Sequence, residues 1–203
     1  TPSGKAIMPF SNSTAASWTT PAKICARSAA FSNSKRETPY PWEKWKARLN
    51  PEAANRYPEY WEDLKRCYRG RDYPLGIHAG SYYGWIRNWV GMEHLALWYW
   101  DCPDLIHEMT DYIAQFVLKL MERALDEIPD IDYALIWEDM AMKTGPLISP
   151  KLFRHFMMEP LKRVTKVLKD YGIRIIMVDC DGNVDDLIPL WLEADVNLVY
   201  PLE

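Results

Sequence analysis

Strand-like apolar runs alternate with helical stretches along most of this chain, and this order constrains the fold more than any other feature of the sequence. The strand patterns lie at 74–79, 132–137, 173–178 and 196–200. Helical periodicity separates them, with apolar residues at spacings of three and four in the stretch that begins near Pro103. Parallel strands joined by right-handed helical crossovers are the natural result of this order. We therefore predict an α/β fold whose strands are adjacent and parallel in chain order.

A second long helix is predicted to begin at Ser149, an N-cap candidate that is followed by a first-turn proline, Pro150. Pro160 falls inside this helix and is expected to bend it, because proline lacks the backbone donor and its ring clashes with the preceding turn. Gly172 is predicted to end the helix. The next strand pattern then begins at once, so the connection is short.

The composition is that of a globular protein with a sizeable core. The chain has 203 residues, of which 48% are hydrophobic and 26% charged. The net charge of −4 argues against a nucleic-acid partner or an anionic membrane, and no apolar run approaches the roughly 20 residues that span a bilayer. The four cysteines are far apart and form no C-x-x-C pair, which favours a reducing compartment. We therefore predict a cytoplasmic protein that acts on a small molecule.

The first 40 residues differ from the rest of the chain. They are rich in Ser, Thr and Ala, show no sustained apolar period and carry a net charge of +4, whereas residues 41–203 carry −8. We predict that residues 1–40 form an irregular, poorly packed segment and that residues 41–203 form the folded domain. The chain starts with Thr1 and stops at Glu203 just after a strand-like run, so we expect a fragment truncated at both ends.

Carboxylates follow three of the predicted strands at the points where these strands end. Glu138 and Asp139 follow the second strand, Asp179 and Asp181 follow the third, and Glu203 follows the fourth. The carboxyl ends of parallel strands meet at one edge of a sheet, where α/β proteins carry their functional loops. Such a cluster raises carboxyl pKa values or holds a cation. Capping of the following helices is the alternative explanation for each residue taken singly.

The loop after the first strand contributes further candidates for substrate binding. His78 shares a strand face with two glycines, whose small size leaves space beside the imidazole. Tyr83 and Arg87 follow in the next loop, where they either line a pocket mouth or pack in the core. A hydrogen-bonded core histidine is the alternative interpretation of His78.

The run Asp179-Cys180-Asp181-Gly182 after an apolar strand permits a phosphotransferase interpretation. In DxDG phosphotransferases of the haloacid-dehalogenase type, the first aspartate attacks phosphorus, the second handles the leaving-group proton and Mg²⁺ screens both. On this hypothesis Asp179 is the nucleophile and Asp181 the acid. The pattern is short and arises easily by chance. A doubly wound sheet, with the strand order reversing beside Asp179, would accompany it.

Longer stretches of the sequence resemble the uroporphyrinogen decarboxylase superfamily. The stretches that carry the resemblance are 74–80, 137–141, 145–153 and 179–191, in the family's order and spacing. The resemblance covers about residues 41–203 and implies a TIM (β/α)8 barrel with parallel strands, of which this chain holds a part. The superfamily includes tetrapyrrole decarboxylases and methyltransferases that move methyl groups to or from corrinoids and thiols.

The resemblance also implies roles for individual residues. The family's Asp-Ser pair after the middle strand matches Glu138 and Asp139, and its pocket tyrosine matches Asn88, next to Arg87. The His-x-Cys pair with which the methyltransferases hold zinc matches the two aspartates of the DxDG run. Carboxylates are harder ligands than imidazole and thiolate, so these aspartates favour a different divalent metal.

Four functions follow from these observations. The family resemblance favours a uroporphyrinogen decarboxylase-like enzyme, with Glu138, Asp139, Asp179 and Asp181 as catalytic residues and with His78, Tyr83, Arg87 and Asn88 binding substrate. The alternatives are a corrinoid-dependent methyltransferase of the same superfamily, the Mg²⁺-dependent phosphotransferase, and a binding domain without catalysis. A divalent metal at the two DxDG aspartates and a corrinoid partner are the implied cofactors. The sequence does not determine the oligomeric state.

Overall fold

The computed structural model describes residues 41–202, which form helices around a parallel sheet. The helices are α1 (Trp42–Arg48), α2 (Trp61–Arg69), α3 (Gly84–Val90), α4 (Met92–Asp101), α5 (Pro103–Glu127), α6 (Pro150–Phe156), α7 (Met158–Asp170) and α8 (Ile188–Glu193). The strands are β1 (Gly76–His78), β2 (Tyr133–Trp137), β3 (Ala141–Met142), β4 (Gly145–Pro146), β5 (Ile175–Asp179) and β6 (Leu198–Tyr200). The prediction for residues 1–40 lies outside the described residues.

The main sheet confirms the predicted strand order. Its strands run β1-β2-β5-β6, and every neighbouring pair is parallel. The order is sequential beside Asp179, so the reversal that the phosphotransferase hypothesis requires is missing from residues 41–202 and that hypothesis is wrong on topology. In this part of the chain β1 and β6 are the outer strands and do not pair with each other. The α/β class is therefore confirmed, whereas the closed barrel stays a prediction.

The crossover helices pack on the rest of the fold through their apolar faces. Helix α5 buries residues along its length at spacings of three and four, among them Leu105, Met109, Ile113 and Leu120. Helices α6 and α7 replace the single bent helix of the prediction, with Met157 between them. The break falls where Pro160 cannot donate to the carbonyl of Phe156, four residues earlier. The Ser149 hydroxyl accepts a hydrogen bond from the Leu152 amide at 3.3 Å, as expected of an N-cap.

A two-stranded hairpin stands at the carboxyl edge of the sheet. Strands β3 and β4 pair in antiparallel orientation just after β2. The Asn183 amide, in the loop after β5, donates to the Met142 carbonyl of this hairpin at 2.9 Å. The hairpin thereby fixes the loop that carries Asp181. No helix within the described part of the chain is long and apolar enough to cross a membrane.

Candidate functional site

The register of the sheet places the predicted carboxylates next to one another. Trp137 of β2 aligns with Asp179 of β5, which in turn aligns with Tyr200 of β6. The ladder continues one residue further, because the Glu138 amide donates to the Asp179 carbonyl at 2.9 Å. Asp139 lies immediately beyond this point. The ends of β2 and β5 therefore bring the aspartates to the same edge, as the sequence predicts.

Arg87 is engaged by Asp139. One guanidinium nitrogen donates to the Asp139 carboxylate at 2.8 Å, and the other donates to the Asp139 backbone carbonyl. The guanidinium also lies over the Trp137 ring at 5.6 Å, which fixes its plane. Asp139 itself adopts a left-handed backbone conformation, with φ of 42°. That conformation turns its carbonyl and its carboxylate toward the same arginine. Asn88 is exposed beside this pair.

The pKa of Asp179 responds to burial and to the charges of the two neighbouring aspartates. Partial burial raises the pKa of Asp179, and the negative charges of Asp181 and Asp139 raise it further. Asp181 is exposed in the loop after β5. The three side chains thus form one electrostatic group, defined here as the strand-end carboxylates (Asp139, Asp179 and Asp181). Their charges raise the pKa of Asp179 and favour a cation beside it.

Cys180 lies between Asp179 and Asp181 in the sequence and is fully buried. Its sulfur accepts a hydrogen bond from the Met140 amide at 3.2 Å, and burial raises the pKa of the thiol to about 11. A thiol with such a pKa stays protonated at neutral pH and is a poor nucleophile or metal ligand. The DxD stretch therefore offers oxygen ligands, not sulfur.

Gly182 allows the loop after β5 to approach the β3–β4 hairpin closely. Its φ is +88°, and a Cβ at this position would lie 2.8 Å from the Met142 carbonyl carbon. Only glycine accepts this backbone conformation and this approach together. The contact fixes Asp181, one residue earlier, at the edge of the site.

Glu138 differs from the aspartates because it is buried, with 1% of its surface exposed. It accepts backbone hydrogen bonds from Tyr82 at 2.9 Å and Tyr83 at 2.7 Å. The Gly84 amide and the Ser81 hydroxyl lie at 3.4 Å from its second oxygen. Both oxygens are therefore occupied by the 81–84 loop, which leads into α3. The predicted catalytic role of Glu138 is untested, and its contacts are those of a positioning residue.

Burial also raises the pKa of Glu138 to about 7, against the lowering effect of its hydrogen bonds. We expect the free energy of unfolding to fall by about 3 kcal/mol as pH rises from 4.5 to 7, because only the folded state holds this proton there. This stabilisation is complete below pH 4.5 and is lost above the folded-state pKa. Chemical denaturation of wild type and Glu138→Gln across this range measures it. Parallel profiles for the two proteins would contradict the expectation.

The other predicted substrate-binding residues, His78 and Tyr83, lie at the end of β1 and in the loop that follows it. The His78 ring lies parallel to the Trp85 ring, and its Nδ1 accepts from the Gly80 amide at 3.1 Å. Burial lowers the pKa of His78. The space expected beside His78 is partly filled, because the Tyr133 ring covers Gly76. Burial raises the pKa of Tyr83 to about 12, so this side chain is a neutral, buried phenol.

Ser81 is the residue of this region that the sequence interpretation missed. Its hydroxyl accepts from the Trp85 amide at 3.1 Å and lies at 3.4 Å from Glu138. The Ser81 hydroxyl is only 2.7 Å from where a Cβ on Gly84 would be, so the glycine makes room for this arrangement. A serine four residues before a helical amide was the available signal. Its link to a carboxylate more than 50 residues away was not readable from the sequence.

The DxDG aspartates are the candidate metal ligands on this chain. In the range 41–202, no three His, Cys, Asp or Glu side chains come together as a group that could hold a metal ion. A cation at this place would have Asp179 and Asp181 as carboxylate ligands. Water or substrate would fill its remaining coordination positions. The assignment of a metal to this pair remains a prediction.

Comparison with known proteins gives one structural likeness. No protein-family profile matches the sequence, and no curated protein matches it. The fold is similar to that of a methyltransferase from Methanosarcina mazei, with a TM-score of 0.50 and 14% sequence identity. The matched region covers 69% of this chain and 41% of the methyltransferase chain. At this identity the likeness establishes a shared fold, and this chain spans less than half the length of that protein.

Proposed function

We propose that this chain is the part of a methyltransferase of the uroporphyrinogen decarboxylase superfamily that supplies acid catalysis at the strand ends. The observation that carries the proposal is the convergence of Asp139, Asp179 and Asp181 at one edge of the parallel sheet. The family resemblance of residues 41–203 and the shared fold with the methyltransferase from Methanosarcina mazei support it. A partial TIM barrel belongs to the same proposal.

The charge of this edge argues against the decarboxylase alternative. Uroporphyrinogen is a polycarboxylate, so its pocket needs several positive charges. Arg87 is the cation nearest the strand-end carboxylates along the motif loops, and Asp139 already binds both ends of its guanidinium. Asp179 and Asp181 add further negative charge. Like charges at close range repel a polyanionic substrate by several kcal/mol at about 4 Å and intermediate dielectric.

Asp179 is the proton donor in the proposed reaction. Transfer of a methyl group from a heteroatom breaks the carbon–heteroatom bond and leaves its electron pair on the heteroatom, which then takes up a proton. In this proposal Asp179, at the carboxyl end of β5, gives that proton to the leaving heteroatom. Burial raises the pKa of Asp179, and the charges of Asp181 and Asp139 raise it further, so Asp179 holds a proton more readily than an ordinary aspartate. The methyl group passes to the thiol or corrinoid acceptor that the family resemblance implies.

The zinc ion of related methyltransferases does not fit the residues of this chain. Asp179 and Asp181 match its His-x-Cys ligands, and the intervening thiol is buried with a pKa of about 11. Two carboxylates suit a hard cation better than a zinc ion that activates a thiol. A second candidate is therefore Mg²⁺ or Mn²⁺ at this pair, which would relieve the repulsion that raises the pKa of Asp179. Titration calorimetry with both ions, on wild type and Asp181→Asn, tests it.

Methyl transfer should depend strongly on Asp179. The assay uses the protein from the complete open reading frame containing these residues, with cob(I)alamin as acceptor and methylamines, methanol and aryl methyl ethers as donors. Formation of methylcobalamin is followed by absorbance. We expect Asp179→Asn to lower kcat by about 10²–10⁴-fold, because it removes a general acid.

The control is Asp186→Asn, which changes an exposed carboxylate a few residues further along the same loop. This variant should retain the wild-type rate. A parallel assay measures uroporphyrinogen decarboxylation. Decarboxylation by wild type without methyl transfer from any donor, or full methyl transfer by Asp179→Asn, would overturn the proposal.

A further inference from the structure

Two histidines on the surface meet across neighbouring helices, far from the strand ends in sequence. His107 lies on α5 and His155 on α6, and their Nε2 atoms are 3.1 Å apart. The rings are nearly perpendicular, with centroids 4.6 Å apart and an interplanar angle of 76°. His155 is exposed and His107 is half-buried, so solvent reaches the pair. Neither histidine contributes to the proposed methyl transfer.

We propose that His107 and His155 form a binding site for a transition-metal dication, with Zn²⁺ as the expected ion. Imidazole nitrogens bind Zn²⁺ at about 2.0–2.1 Å. Two such bonds to nitrogens 3.1 Å apart enclose an angle of about 95–100° at the metal. This angle lies between those of octahedral and tetrahedral coordination. The observed separation therefore fits a shared metal ion, with water completing the coordination.

The surroundings hold the pair in place. The Phe156 ring packs against both imidazoles, with centroid distances of 4.4 Å to His107 and 4.7 Å to His155. Phe156 is buried, so it anchors the two surface rings to the core. The negative charge of Asp104, one turn before His107, acts on this imidazole. It favours a cation at the site as well.

The neighbouring charges are engaged elsewhere and leave the imidazoles available. On α5, Glu108 binds Lys46 and Asp111 binds Arg163. On α6, Arg154 binds Glu193 of α8. Burial and the second histidine both lower the pKa of His107, which favours the neutral imidazole that a metal ion binds. In the metal-free pair one Nε2–H donates to the other Nε2. In the metal-bound pair both neutral rings carry their proton on Nδ1, so that each Nε2 offers a lone pair to the metal.

A metal ion here would join α5 to α6 just before the break at Met157. The two helices belong to different crossovers, and their histidines are 48 residues apart in the chain. An ion that binds the folded state and not the unfolded chain stabilises the fold by mass action. The site would therefore act as a clip between two helices.

Titration calorimetry with ZnCl₂ tests the proposal in a Cys67→Ser background, because Cys67 is an exposed free thiol and thiols are zinc ligands. We expect one site of 1:1 stoichiometry, and at least tenfold weaker binding in His107→Asn and in His155→Asn. His94→Asn is the matched control, because His94 is a half-buried helical histidine outside the pair. An additional Asp179→Asn/Asp181→Asn variant should retain the site, which separates it from the strand-end carboxylates.

A second readout needs no variant. The ¹⁵N resonances of the His107 and His155 side chains should shift together on addition of one equivalent of Zn²⁺, while those of His78 stay unchanged. Failure of the two histidine resonances to respond, or equal weakening of binding in His94→Asn, would overturn the proposal. The pair would then be a hydrogen-bonded contact only. This outcome is independent of whether the protein transfers methyl groups.

Discussion

Replacing Glu138 with alanine is expected to lower the free energy of unfolding by about 3–5 kcal/mol. The change removes an acceptor that serves the amides of Tyr82, Tyr83 and Gly84 in a site with 1% exposure. These donors point into the space of the lost carboxylate and cannot turn to solvent without moving the loop. Each buried donor left without a partner costs about 1–3 kcal/mol. Urea denaturation at pH 7 measures the loss.

Glu159→Ala is the control for this substitution, because Glu159 is exposed on α7. Its effect should stay within about 0.5 kcal/mol. Because the 81–84 loop leads into α3, which carries Arg87, the Glu138 variant should also lose order around that arginine. A stability change in Glu138→Ala no larger than in Glu159→Ala would show that the loop does not depend on Glu138.

Gly182→Ala is expected to destabilise the protein by about 2–4 kcal/mol. The φ of +88° strains any L-residue, and the new Cβ would lie 2.8 Å from backbone atoms of Met142. Backbone cannot move aside as a flexible side chain can, so the loop after β5 and the hairpin must separate. Asp181 moves with this loop. We therefore expect both a lower melting temperature and weaker coupling between Asp181 and Asp179.

Gly172→Ala provides a matched control for the steric part of this effect. Gly172 has nearly the same φ, +85°, but nothing lies within 4 Å of its Cβ position. The control should cost only the conformational strain, about 1–2 kcal/mol. The difference between the two variants reports the contact with Met142. Equal losses in both would show that the close approach of the loop to the hairpin contributes nothing.

The strand order could be predicted because local patterns and chain connectivity determine it. Short apolar runs separated by amphipathic helices leave few arrangements other than adjacent parallel strands, and the sheet has that order. Pro160 likewise breaks the long helix for a purely local reason. In the described part of the chain β1 and β6 are the outer strands of the sheet, so barrel closure stays a prediction.

The candidate site could be predicted only in part. That Asp139 and Asp179 share an edge follows from parallel pairing, which the sequence indicates. The sequence does not indicate that Glu138 binds the 81–84 loop whereas Asp139 binds Arg87. These partners depend on which side of the strand end each residue faces and on a loop that is distant in sequence. The Tyr133 ring covers Gly76, which is distant from it in sequence, and fills space that was expected beside His78. Contacts between residues that are distant in sequence are determined by tertiary packing, and local sequence patterns do not predict them.

The carboxyl pKa of Asp179, measured by ¹³C NMR in wild type and in Asp181→Asn, tests most directly whether the strand-end carboxylates act as one group. We predict a wild-type pKa above the ordinary aspartate value of 3.8, with burial as its largest cause and Asp181 as the next. Removing the Asp181 charge should lower the pKa, while Asp186→Asn should leave it unchanged. An Asp179 pKa that is the same in wild type and Asp181→Asn would contradict the convergence on which the proposed function rests.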